Sequence, residues 1–124
     1  MKPICAALAL VIVAEFAGTA IAARTPTGAE KQAIEKAIGA KLRADESPVA
    51  GTEVVSGIRI STKAREWASA VMEAPYAATA FVALERQGSR WKVRQYGTAQ
   101  VPCGIGMPAP VRRELFKGRG GGAC

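Results

Sequence analysis

Apolar residues recur along this chain with three successive periods, and each period predicts a different element. From Ile4 to Ala14 they run almost without a break. From Ile34 the spacing becomes four, through Ile38 and Leu42, with Ala33 and Ala37 beside them and Lys31, Glu35, Lys36 and Arg43 elsewhere around the turn. That is the stripe of an amphipathic helix. Thr27-Gly28-Ala29-Glu30 has the spacing of a capping box, with Thr27 as N-cap and Glu30 reaching back to its amide. Asp45-Glu46-Ser47-Pro48 closes the stretch, because the residue before proline resists helical geometry. The pattern predicts a helix over 28–44.

After the helix the period changes to two, which is the signature of strands. Straight alternation puts Val54, Ile58 and Ile60 on one face of a strand over 53–62, with Glu53, Val55 and Arg59 on the other. A second strand is expected over 66–73, with Trp67 and Val71 opposite Ala68, Ala70 and Met72. A third over 78–86 carries Phe81, Val82 and Leu84, and the turn Gln87-Gly88-Ser89-Arg90 leads into a fourth from Trp91 to Gly97. Short turns between strands imply an antiparallel meander. Pro108 and Pro110 suit the start of a short helix over 111–117 with Leu115 and Phe116 inward, and Gly118 stops it. The helical stripe needs an apolar partner, and the meander offers one. The expected fold is therefore α+β: an N-terminal amphipathic helix packed on a three- to four-stranded antiparallel meander, followed by a short C-terminal helix.

The first apolar run predicts export. Lys2 precedes it, Glu15 interrupts it well short of the roughly 20 residues a membrane span needs, and small residues converge on Ala20-Ile21-Ala22. Residues 1–22 are read as a signal peptide, with the processed chain starting at Ala23 and residues 23–124 forming a single domain. The expected location is secreted or periplasmic. Lys2 and Glu15 leave together, so the formal charge stays at +7. Cys5 leaves as well, and an oxidising compartment would let the remaining pair, Cys103 and Cys124, form a disulfide. Such a bridge closes a loop of about 22 residues and contributes about 3 kcal/mol by chain entropy.

Leu84-Glu85-Arg86-Gln87-Gly88-Ser89-Arg90-Trp91-Lys92-Val93 resembles the late hairpin of cystatin-like and nuclear-transport-factor-like α+β folds, in which a turn glycine leads into a Trp-x-Val strand. Ser61-Thr62, Trp67-Ala68, Gly97-Thr98, Cys103 and the Pro-Val helix are also similar to small secreted bacterial proteins. Glu53-Val54-Val55-Ser56-Gly57 is similar to the Q-x-V-x-G hairpin with which cystatins enter papain-like peptidases, with Glu53 in place of glutamine. The resemblance implies an inhibitory hairpin carried by Glu53, Val55 and Gly57. The residues themselves equally fit a valine-rich strand with a glycine bulge.

Chemistry narrows the choice mainly by subtraction. The chain contains no histidine, which removes Ser-His-Asp and Cys-His catalysis and histidine-bearing zinc sites. Two cysteines make no metal site alone, so neither a metal nor another cofactor is expected. Ser89-Arg90-Trp91-Lys92 has S-x-x-K spacing, but on a hairpin its ends point to opposite faces. Positive charge is the stronger handle. Arg59, Lys63, Arg65, Arg86, Arg90, Lys92 and Arg94 crowd the strands, while Arg112, Arg113, Lys117 and Arg119 crowd the C-terminus. Arg90, Lys92, Arg94 and Tyr96 have the spacing of one basic sheet face, which could meet an anionic cell-envelope component or an extracellular protein. A basic alternating strand is also simply what the solvent face of a half-buried sheet looks like. Export argues against nucleic acid as the partner. The leading expectation is a secreted, non-enzymatic binding protein; the alternatives are a cysteine-peptidase inhibitor and a small enzyme with a pocket in the concave sheet.

Overall fold

A computed structural model of the protein describes residues 22–119 and Cys124. The proposed signal segment lies outside the described residues, apart from Ala22. Helix α1 spans Gly28–Ala44 and starts with the expected capping box. The Thr27 hydroxyl accepts from the Glu30 amide at 3.2 Å, and the Thr27 amide donates to the Glu30 carboxylate at 2.9 Å. Arg24 reinforces this start by donating to both Glu30 oxygens, at 2.8 and 2.7 Å. Lys41 and Arg43 occupy the last turn, where the helix dipole favours cations.

Strands β1 (Val54–Ile60), β2 (Trp67–Glu73), β3 (Ala80–Gln87) and β4 (Arg90–Gly97) form one antiparallel sheet in the order β1-β2-β3-β4. Helix α2 follows at Ala109–Leu115. The protein is thus α+β, with a helix followed by a four-stranded antiparallel sheet and a short C-terminal helix. On one face of the sheet, Ile34, Ile38 and Leu42 of α1 pack against Ile58, Ile60, Ala68, Ala70, Met72, Val82 and Leu84. The helix runs closest to β4, and Ala68 and Ala70 of β2 are buried in the same cluster.

Two bulges change which residues share a face. The β1–β2 register shifts between Ser56 and Arg59, where Gly57 has φ +56°. An extra residue in one strand inverts the side-chain alternation beyond it. Val55 therefore pairs with Met72 and packs against the helix-side core, while Val54 is 61% exposed. This corrects the face that simple alternation assigns to Val54. A second shift, between Ala83 and Leu84, skips Arg94 in the β3–β4 pairing and sends Tyr96 to the helix side.

The other face of the sheet is covered too. Trp67, Phe81 and Ala83 pack under Val101, Met107, Val111, Leu115 and Phe116, which belong to the chain after β4. The expected half-buried sheet is instead a middle layer. Cys103 and Cys124 are joined at 2.08 Å, which ties the end of the chain to this second covering layer. Polar contacts hold the rest: Gln95 exchanges two hydrogen bonds with the Cys103 backbone, at 2.9 and 3.1 Å. Arg119, only 8% exposed, donates to the Ser69 hydroxyl at 3.1 Å and the Gly57 carbonyl at 2.6 Å. Among the described residues, every buried side-chain nitrogen and oxygen has a hydrogen-bond partner.

Candidate functional site

A groove of about 810 Å³ opens where the residues before α1, strand β1 and helix α2 meet. Ala22 to Thr25 form one side, held by a bridge in which the Arg24 and Ile60 backbones exchange two hydrogen bonds of 2.9 Å. Ile58 and Arg59 come from β1, and Lys63 from the turn that follows it. Pro110, Arg113 and Glu114 come from α2, with Lys117 just beyond its end. Among the described residues, five cationic residues and one carboxylate therefore share this lining.

The charges have different degrees of freedom. Arg24 is engaged by Glu30. One guanidinium nitrogen of Arg59, Nη1, donates to the carbonyls of Leu115 and Lys117, both at 3.1 Å, and so caps the end of α2. Lys63, Arg113 and Lys117 are exposed, with no carboxylate partner among the described residues.

Glu114, which shares this lining, offsets only part of that positive charge. Its Oε1 accepts from the Ser61 hydroxyl at 2.5 Å, and its Oε2 accepts from the Thr62 amide at 2.9 Å and hydroxyl at 2.7 Å. Burial opposes ionisation of this carboxyl, but the hydrogen bonds from Ser61 and Thr62 outweigh it and hold the pKa below its usual range. Glu114 is consequently a fixed anion that staples α2 to the β1–β2 turn.

Behind Arg59 lies the buried Arg119. Its pKa is lowered to about 10, first by burial and then by the nearby positive charge of Arg59. It remains cationic at neutral pH, and it donates to the Ser69 hydroxyl and the Gly57 carbonyl. The guanidinium therefore adds to the positive field on this side of the molecule.

The basic residues expected to form one sheet face are dispersed. Arg90 is exposed at the β3–β4 turn and Lys92 is exposed on β4. Arg94 forms an ion pair with Glu85, donates to the Ile105 carbonyl at 3.1 Å and lies 5.7 Å from the Trp67 ring centroid. Tyr96 is on the opposite side of the sheet, where its hydroxyl donates to Asp45 at 2.8 Å. Burial first, and Asp45 second, raise the pKa of that phenol. The β3–β4 bulge is the reason Tyr96 parts from Lys92 and Arg94.

The segment similar to a cystatin hairpin lies along β1, an edge strand paired to β2, rather than at a hairpin tip. Glu53 accepts from the Gly51 amide at 2.7 Å, Val55 packs in the helix-side core, and Gly57 forms the bulge. A Cβ on Gly57 would lie 2.7 Å from Arg119 Nη2, so the bulge leaves room for a buried guanidinium.

The basic residues of β1 and the C-terminus are visible in the sequence, but their convergence is not. The available signal was the four-residue spacing of Lys63 after Arg59 and of Lys117 after Arg113, each pair flanking an element end. Among the described residues no cluster of three His, Cys, Asp or Glu could hold a metal, and no helix is long and apolar enough to cross a membrane. No protein-family model, curated protein or solved structure matches this chain.

Proposed function

We propose that this is an exported, non-enzymatic binding protein whose groove takes a non-aromatic polyanion, a phosphate-bearing polymer of the cell envelope. The observation that carries the reading is the convergence of Arg59, Lys63, Arg113 and Lys117 on one groove where, among the described residues, the one carboxylate, Glu114, leaves a clear excess of positive charge. Arginine and lysine together suit phosphate, the first as a fork and the second as a mobile point charge.

Size and lining sharpen the ligand class. A volume of about 810 Å³ exceeds what one phosphate fills, so several repeats of a chain would be needed to occupy it. Among the described residues no aromatic side chain lines the groove, whereas grooves for single-stranded nucleic acid stack bases on aromatic rings. Ala22, Ala23, Ile58 and Pro110 offer apolar contact for the carbon skeleton between charges. Export is supported by the apolar leader and by the Cys103–Cys124 bond, which suits an oxidising compartment.

The test is isothermal titration of the protein with inorganic polyphosphate, with poly-glutamate and a single-stranded oligonucleotide as rival polyanions. Polyphosphate should bind most tightly and lose affinity steeply with added salt. Lys63→Ala combined with Arg113→Ala should weaken binding about thirtyfold, at about 1 kcal/mol per cation. Unchanged affinity in that double variant would refute the groove as the site, and preference for the oligonucleotide would refute the ligand class.

A further inference from the structure

We propose that cleavage between Ala22 and Ala23 completes the groove, because the freed α-amino group of Ala23 becomes an additional ligand-binding cation. This rests on the anion-binding reading of the groove and identifies one more residue of that site. Water adds across the Ala22–Ala23 peptide bond under an endopeptidase. The C–N bond breaks, Ala22 leaves with a new carboxylate, and the Ala23 nitrogen takes up a proton as an ammonium. In the uncleaved chain the same nitrogen is an uncharged amide, so the step places a positive charge on a residue of the groove lining.

Position decides whether that charge matters, and here it is fixed. Ala22 and Ala23 both line the groove. The next residue, Arg24, is anchored twice: its backbone exchanges two hydrogen bonds with Ile60, and its guanidinium grips both oxygens of Glu30. Ala23 itself packs against the cluster around Phe116. Adjacent Cα atoms are about 3.8 Å apart, so an ammonium one residue from such an anchor cannot swing clear of the groove. It would join Lys63, Arg113 and Lys117 on a lining where, among the described residues, the single carboxylate of Glu114, held by Ser61 and Thr62, offsets only one charge. An unsatisfied cation among unsatisfied cations favours an anionic occupant. Processing at this bond therefore both releases the chain and raises the affinity of its site.

The experiment uses the full chain expressed in a secreting host. Intact mass of the exported product should place its start at Ala23, and a start anywhere else, or no cleavage, overturns the inference. The α-amine of that product is then acetylated selectively at mildly acidic pH, where it is more reactive than lysine because its pKa is near 8 rather than about 10.4. Polyphosphate should bind the acetylated protein about fivefold more weakly than the free amine, the effect of one cation near an anionic surface. Equal affinity of the two forms, while Lys63→Ala with Arg113→Ala still weakens binding, would overturn the role of Ala23 alone. Equal affinity in all forms, the double variant included, would overturn the groove reading with it.

Discussion

The two layers that cover the sheet are built by different physics. On one side, α1 lays Ile34, Ile38 and Leu42, each 2% exposed or less, onto aliphatic side chains of all four strands. Burial of apolar area accounts for that contact, and each such side chain contributes about 1.5–3 kcal/mol. On the other side, a seven-residue helix and a stretch of irregular chain cover the sheet. Leu115 and Phe116 are buried there too, but specific latches hold the chain in place: the Cys103–Cys124 bond, Glu114 on Ser61 and Thr62, Arg59 on the α2 carbonyls, and Arg119 on Ser69 and Gly57. A long regular element needs only a stripe to find its place. Irregular chain carries many unpaired backbone groups and little regular apolar surface, so each segment requires its own partner. The groove lies along the edge of the latched layer, and its cations reach it on short, polar, tethered pieces of chain.

The largest effect is expected where the first layer is densest. Leu42→Ala should cost about 2–5 kcal/mol in denaturant unfolding and should lower the midpoint for the whole domain, because it opens a cavity in the core shared by α1 and the sheet. A small loss confined to α1 would mean that this layer is not the source of global stability.

Removing the disulfide tests the second layer. Cys103→Ser with Cys124→Ser should cost about 3 kcal/mol, the chain-entropy contribution of a loop of this length. Hydrogen exchange should accelerate in 101–119 well before it does in the α1 turns that carry Ile34 and Ile38. Uniform acceleration in both regions would erase the contrast between the layers.

Acid should produce the smallest effect and reach both layers through different carboxyls. The Glu30 pKa is lowered to about 2 from an ordinary 4.5, first by the hydrogen bonds from Arg24 and then by the Thr27 amide. Glu114 is lowered as well. A carboxyl depressed in the folded state binds fewer protons there than when unfolded, so its stabilisation is complete above about pH 4.5 and declines as pH falls toward 2. Glu30→Gln should flatten the acid limb of the stability curve through the start of α1, and Glu114→Gln through the anchoring of α2. Acid limbs identical to the parent's in both variants would remove these carboxyls as the cause.

Much of the first layer was legible because its code is local. The capping box at Thr27–Glu30 and the four-residue stripe set the bounds of α1, and period-two runs located all four strands within a few residues. Face assignment failed at Val54 and Tyr96 for one shared reason. Each lies in a strand interrupted by a bulge, and alternation read straight through a bulge inverts everything on one side of it. Gly57 carried a readable hint of the first bulge, whereas nothing in Trp91-Lys92-Val93-Arg94-Gln95 marks the second. The second covering layer and the groove were illegible for a different reason. They depend on residues such as Arg24, Ser61, Ser69, Glu114 and Arg119, whose partners lie up to 62 positions away and whose types would suit any surface.

The sequence by itself therefore determined the elements, their order, the apolar stripe and the cysteine pair available for bonding, since each follows from spacing along the chain or from residue type. Only the tertiary structure decided which face each strand residue occupies, that the sheet is covered on both sides, and that Arg59, Lys63, Arg113 and Lys117 meet in one groove. Those outcomes depend on register and on long-range polar contacts, and no local pattern encodes the distance between residues that folding brings together.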